Sequence, residues 1–340
     1  MQDYFWRMLE DLKNHLADGV DLTAEEMQYF LDAAIGGDLT EARKIEVLSL
    51  INSKGVTGQE LAFAVQALAK PREAEECIDV CGTGGSGLSR INVSTLSAFL
   101  LASIGVPVAK HGNRAASGRC GSFDLLELLG VRIDLTPEQS EQVFREVGLG
   151  FFFAPQCYPQ MGAFGLARKS MGVPTMFNLL GPLLSPLNPK RQLIGAASHE
   201  NAQRILEACR RIGRESVYVV VGTDGLDEVS LAGTSTVYRL DGEPFTVTPE
   251  SFGLQAVDYE QIAGGDAEQN QFIAINILSG AEIDSPRTSL VCANAALALQ
   301  LVGHEPDLEQ GTRLAREVIR NGRAMGLLEE EKVATRRVSQ

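Results

Sequence analysis

The chain has 340 residues, 44% of them hydrophobic, 22% charged and 6% aromatic, a globular composition that excludes disorder or a fibrous architecture for its bulk. Its 44 acidic and 30 basic residues leave a formal charge of −14, which argues against a general nucleic-acid or anionic-membrane binder. The length allows about two domains of roughly 150 residues each.

From the N-terminus, MQDYFWRMLEDLKNHL carries early acids and lacks an apolar core, so no secretory signal is expected. No charge-free apolar run reaches the ~18 residues a membrane helix needs. Six scattered cysteines include no C-x-x-C pair and read as free thiols in a reducing compartment, so the expected location is cytoplasmic. Residues 1–72 are expected to be helical throughout. Phe5, Met8, Leu9, Leu12 and Leu16 define one apolar face at helical spacing. Thr23 with Glu26 and Thr57 with Glu60 match capping boxes, and Gly36, Gly37 and Gly55 punctuate helix ends. Such a unit is a small helical domain or dimerisation lobe.

From Cys77 the pattern changes to short β-branched runs, Gly-rich turns and longer helical stretches, the alternation of an α/β sheet. Strands are expected at 78–81, 106–109, 150–153, 192–197 and 216–221. Four of them run into polar sequences, CGTGGSG, KHGNR, APQCYP and GTDGLDE. Open α/β sheets bind ligands outside the carboxyl ends of their strands, so these turns are expected to meet at one site. Between Val80 and Phe123 there is no Asp or Glu, yet Arg90, Lys110, Arg114 and Arg119 remain. That window is a local cation reservoir suited to phosphate-rich anions.

Gly82-Thr83-Gly84-Gly85-Ser86-Gly87 follows a strand and precedes the helix opened by Asn92-Val93-Ser94-Thr95, an arrangement that offers backbone N–H groups to a phosphate. The string also fits the dinucleotide fingerprint, but the next strand ends in Lys110-His111 where a nicotinamide fold needs an acid. No Ser, Cys or Asp nucleophile with an orienting partner accompanies His111, so triad hydrolysis is poorly supported. Asp224, Asp227 and Glu228 are hard oxygen donors suited to magnesium bridged to phosphates, an exposed acidic turn being the alternative. Arg168 alone would rank as surface charge, although its guanidinium can grip a carboxylate with two parallel hydrogen bonds.

Taken together, GTGG with NVST, KHGNR with GSFDLLELLG, FFFAP, NLLGPL, GLDEVS, GGDAEQN and NAALAL, in this order over nearly the whole chain, resemble the anthranilate phosphoribosyltransferases. The resemblance implies a nucleoside phosphorylase/phosphoribosyltransferase-like fold: a helical domain over 1–72, completed by a segment near 165–190, and a larger α/β domain over 73–340 with a central, mostly parallel sheet flanked by helices. It implies a homodimer formed through the helical part. It also implies transfer of the phosphoribosyl group of 5-phosphoribosyl 1-pyrophosphate to anthranilate with Mg²⁺.

On the matching positions, Gly82, Thr83, Gly84, Gly85, Asn92, Val93, Ser94, Thr95, Lys110, Gly112 and Ser117 would bind the sugar pyrophosphate, and Ser94, Asp227 and Glu228 would hold magnesium. His111, Asn113 and Arg168 would line the acceptor side, with Lys110, His111 and Arg168 in catalytic roles. Departures fall at Ser86 for Asp, Arg90 for a small polar residue, Gly118 and Cys120 for serines, Tyr158 for His, and Leu184-Ser185 for Thr-Asn. They leave open a paralogue using another aromatic amine or base, and a catalytically silent binding protein.

Overall fold

The computed structural model describes residues 2–70, 72–84, 90–115 and 120–339, with side chains from Arg7 onward. Phe5 of the expected helix face, and Gly85, Ser86, Gly87, Ser117, Gly118 and Arg119 of the expected loops, lie outside the described side chains.

Four helices open the chain: α1 (Gln2–Ala17), α2 (Ala24–Ile35), α3 (Glu41–Lys54) and α4 (Gly58–Leu68). Leu9, Leu12 and Leu16 are buried on one face of α1. Both expected capping boxes form, the Thr23 and Thr57 hydroxyls accepting from the Glu26 and Glu60 amides while those carboxylates accept from the Thr23 and Thr57 N–H groups. The chain then alternates through β1 (Glu75–Gly82), α5 (Val93–Ile104), β2 (Val108–Gly112), α6 (Ser122–Leu128), α7 (Pro137–Val147) and β3 (Leu149–Phe153). A single turn, α8 (Ala154–Cys157), leads to α9 (Gly165–Met171), α10 (Met176–Leu183), β4 (Pro189–Gly195), α11 (His199–Arg211) and β5 (Ser216–Gly222). A hairpin follows, β6 (Ser235–Arg239) and β7 (Phe245–Val247). The last helices are α12 (Tyr259–Ile262), α13 (Ala267–Ser279), α14 (Pro286–Leu301), α15 (Leu308–Arg320) and α16 (Arg323–Val338).

The described strands form one sheet ordered β3-β2-β1-β4-β5-β6-β7, parallel from β3 to β5 and antiparallel at the β6–β7 edge. Two expected strands are shifted. β2 starts at Val108 because Val106 and Pro107 belong to the turn after the left-handed Gly105, and β4 ends at Gly195, before Ala196 and Ala197.

Side chains alternate between the two sheet faces. Ile78, Val80, Val108, Leu149, Phe151, Leu193 and Val220 pack in one core with α5, α13, α14, α15 and α16. Ile194, Val217, Val219 and Val221 face the other way, into a core with α11, α10, α9 and the first four helices. Strands buried on both faces explain the nearly continuous apolar runs of the sequence. Layered this way, helices close both faces and the carboxyl ends of β1, β2, β3 and β5 remain open at one rim.

Candidate active site

At that rim lies a cleft of about 540 Å³, lined from all four polar turns: Gly82 to Gly84, Lys110 to Ala115, Ala154 with Pro155 and Tyr158, and Asp227 with Glu228. The glycine turn and the acidic turn touch directly. The Gly84 N–H donates to Asp227 Oδ2 at 2.8 Å, and the Thr83 N–H donates to the Gly195 carbonyl at 2.9 Å. This approach depends on missing side chains. A Cβ on Gly82 would lie 2.6 Å from Asp227 Oδ2, and one on Gly195 would overlap the Asp227 carbonyl. Gly84 has φ of 66°, a left-handed conformation that glycine adopts at little cost.

The start of α5 adjoins this turn. Asn92, Val93 and Ser94 line the cleft, whereas Thr95, grouped with them in the sequence, is fully buried and does not. The helix turns its side chain to the interior, where Leu96 and Phe99 of the same helix are buried too.

Lys110 and His111 end β2 beneath the cleft. Lys110 is only 1% exposed, and its Nζ donates to the Val80 carbonyl at 2.6 Å and to Ser94 Oγ at 3.1 Å. Burial lowers its pKa, opposed by the charge of Asp79. Asp79 itself is buried and pushed up to about 6 by desolvation, despite Lys110 and the His111 N–H that donates to its Oδ1 at 3.3 Å. A carbonyl can only accept, so the 3.1 Å contact between His111 Nδ1 and the Gly181 oxygen places the proton on Nδ1 and leaves the buried Nε2 without a partner among the described residues. Burial, with Lys110 nearby, depresses His111 to about 4, so the imidazole is neutral at pH 7.

The cation reservoir is smaller than the sequence implies. Arg90 is ion-paired with Asp227, and Arg114 turns to Glu127 at 2.8 Å and Asp124 at 3.5 Å. Asp224 also departs from its expected place. Its carboxylate accepts from the Leu226 N–H and the Ser230 hydroxyl, folding the acidic turn instead of lining the cleft. Glu228 does line it, and desolvation pushes its carboxyl up to about 7, with Arg90 opposing.

Across from these turns, Tyr158, Arg168, Phe177, Asn178 and Gly181 form a drier wall. The buried Tyr158 ring stands edge-on to His111, with centroids 5.9 Å apart. The Arg168 guanidinium lies 5.3 Å above the Phe177 ring. Among the described residues no carboxylate pairs with Arg168, and burial alone lowers its pKa. Asn113, exposed at the mouth, accepts the Arg114 N–H at 2.8 Å.

A family profile for the α/β domain of a glycosyl transferase family matches residues 74–325. Anthranilate phosphoribosyltransferase of Persephonella marina is 38% identical over 332 residues, covering 95% of this chain and 98% of the relative, and that of Rhodopseudomonas palustris strain BisB5 is 40% identical over 320 residues, covering 92% and 94%. The chain belongs to the anthranilate phosphoribosyltransferase family. The solved enzyme of this family from Thermus thermophilus superposes with a TM-score of 0.88 at 35% identity, covering 96% of this chain and 99% of its own. The Saccharomyces cerevisiae family member, solved in complex with PRPP and Mg, gives 0.88 at 25% identity, covering 96% and 97%.

The donors present fit the magnesium of the family. No group of three or more His, Cys, Asp or Glu among the described residues forms a metal cage. Asp227 and Glu228 instead offer two hard carboxylates on one cleft wall, the arrangement suited to an ion that keeps waters and takes its other oxygens from phosphates. Ser94 fits less well. Its Oγ already accepts from the Lys110 ammonium, and an ion on Asp227 would likewise sit beside the Arg90 guanidinium, but Ser94 brings no negative charge to offset its cation as the carboxylate does.

Sequence reasoning missed Phe177, Asn178 and Gly181. The NLLGPL string marked their neighbourhood, but only tertiary packing brings α10 over the end of β2.

Proposed function

We propose that this cleft transfers the phosphoribosyl group of 5-phosphoribosyl 1-pyrophosphate to the amine of anthranilate, releasing pyrophosphate, a step of tryptophan biosynthesis. The observation that carries the proposal is the hydrogen-bonded meeting of the glycine turn with the acidic turn, opposite an arginine with no carboxylate partner among the described residues.

In this reading the N-terminus of α5, beside the glycine turn, receives the pyrophosphate, with Lys110 adding fixed positive charge from below. When bound on Asp227 and Glu228, magnesium supplies charge neutralisation to the departing pyrophosphate. Arg168 takes the acceptor carboxylate and turns the aromatic amine toward the sugar carbon. His111, held neutral, presents Nε2 to an amine N–H. The amine is a neutral nucleophile, so positioning contributes more than proton abstraction.

A helical unit over 1–72 completed by 165–190, assembled as a homodimer through that part, belongs to the same proposal. Packing of α9 on α3 and of α10 on α4 supports the completion, and Leu166 and Val173, 61% and 54% exposed, supply apolar surface for a second copy. The six free thiols support a cytoplasmic location.

The test is an acceptor panel with the sugar pyrophosphate and Mg²⁺, read by pyrophosphate formation and anthranilate fluorescence. Anthranilate should be consumed one for one with pyrophosphate released. Turnover of a different amine in preference to anthranilate, or no pyrophosphate with any acceptor, would overturn the proposal.

A further inference from the structure

Two motifs of the sequence, GGDAEQN and NAALAL, act on backbone beside the cleft, and the second also lines it through Asn294. The first, Gly264-Gly265-Asp266-Ala267-Glu268-Gln269-Asn270, contributes nothing to the cleft lining. Its geometry is nevertheless aimed at the cleft. Ala263 pairs with Arg90 in an isolated antiparallel bridge, and a Cβ on Gly264 would overlap the Arg90 carbonyl, so only glycine admits this approach. Asp266 and Gln269 form a capping box that starts α13 and sets Asn270 in its first turn.

Asn270 is 2% exposed and uses both ends of its amide. Oδ1 accepts the Gly265 N–H at 2.9 Å, while Nδ2 donates to the Arg90 carbonyl at 2.9 Å and to Asn92 Oδ1 at 3.3 Å. Asn92 passes the connection on, its Nδ2 donating to the Cys120 carbonyl at 3.2 Å. The Cys120 thiol also lies against the Asn270 amide. One side chain therefore joins the segment entering α5 to the segment leaving the loop after β2. The same arrangement recurs in the second motif, where Asn294 of α14 accepts the Val229 N–H at 2.9 Å and donates to the Val229 carbonyl at 3.2 Å, next to Glu228.

We infer that Asn270 is a positioning residue that locks together the two loops flanking the phosphate end of the cleft. The inference rests on the phosphoribosyltransferase proposal above. No other side chain of that size carries a donor and an acceptor in this geometry. Aspartate would keep the acceptor for Gly265 and turn a second acceptor on two oxygens. Loss of the clamp frees the Arg90 backbone, whose guanidinium pairs with Asp227, and the entry to α5 that carries Ser94. The acceptor wall formed by Arg168 and Phe177 sits on other elements and stays in place.

The experiment compares Asn270→Ala and Asn270→Asp with Asn276→Ala, a control on the same helix that removes the Asn276 bond to Glu282 Oε1. In the unliganded proteins, both Asn270 variants should speed hydrogen exchange at 90–95 and 120–123 together, with α14 and β4 unchanged. In steady state they should raise KM for the sugar pyrophosphate about tenfold, the scale of losing one buried hydrogen-bonded contact, and move KM for anthranilate less than about twofold. The control should lower Tm without moving either constant. Equal shifts in both constants, the same shift in the control, or exchange rates unchanged in both loops would overturn the clamp. If Asn270→Ala fails to fold, the shape-conserving Asn270→Asp decides. An unsubstituted protein inactive with every acceptor would refute the proposed function while leaving the exchange result to decide the clamp.

Discussion

Arg168 offers the sharpest perturbation of the acceptor side. Its guanidinium is half-buried over Phe177, faces the cleft and has no carboxylate partner among the described residues. A cation held this way without an acid is poorly compensated until an anionic ligand arrives. Hydrogen bonds to a charged group contribute about 1.5–3 kcal/mol, so Arg168→Ala should raise KM for anthranilate roughly 10- to 150-fold. Arg168→Lys keeps the charge and loses the planar fork, so its effect should fall between. The assay varies each substrate against saturating partner, with anthranilate followed by fluorescence. KM for the sugar pyrophosphate should change by less than about twofold, since its cradle lies on other strands. Aniline, which lacks the carboxylate, should be turned over equally poorly by the wild type and by Arg168→Ala. Parallel losses for both substrates, or an equal penalty with aniline, would refute the assignment.

Glu331 lies wholly buried in α16 with neither carboxylate oxygen hydrogen-bonded among the described residues, and desolvation raises its pKa well above 4.5. The folded state therefore holds this proton more tightly than the unfolded chain. Its contribution to stability is present below the unfolded value and is lost as pH rises through the raised folded one. Glu331→Met should stabilise the protein by about 1–3 kcal/mol at pH 8, with the gain shrinking toward pH 5, in denaturant titrations at each pH. A gain independent of pH would contradict the reasoning. At Gly195 an added methyl overlaps the Asp227 backbone, so Gly195→Ala should displace the acidic turn, cost about 1–3 kcal/mol and abolish magnesium-dependent pyrophosphate binding. Wild-type binding by that variant in calorimetry would show that the two turns need not touch.

Much of this architecture was legible because it rests on local chemistry. Helix caps such as Thr23 with Glu26 satisfy backbone groups within one turn, and strands buried on both faces announce themselves as apolar runs. The convergence of the four turns followed from a rule about parallel sheets, not from any single residue. What escaped notice depends on distant partners. β6 and β7 are short, half-exposed strands, β7 at the sheet edge, and their antiparallel pairing leaves little pattern. Arg90 read as a free cation because its partner Asp227 lies 137 positions away, and Asp224 read as a site carboxylate because its bonds to Leu226 and Ser230 are set only once the turn folds. GGDAEQN carried no chemistry as a string, since its asparagine acts on the backbone of a segment 180 positions earlier.

The most direct measurement is calorimetric binding of the sugar pyrophosphate, with and without Mg²⁺, to the unsubstituted chain and to Asp227→Asn/Glu228→Gln. The intact cleft should bind far more tightly with magnesium, and the double substitution should erase that difference while leaving anthranilate binding unchanged. Magnesium-enhanced binding that survives the loss of both carboxylates would show that the glycine and acidic turns do not form one phosphate cradle.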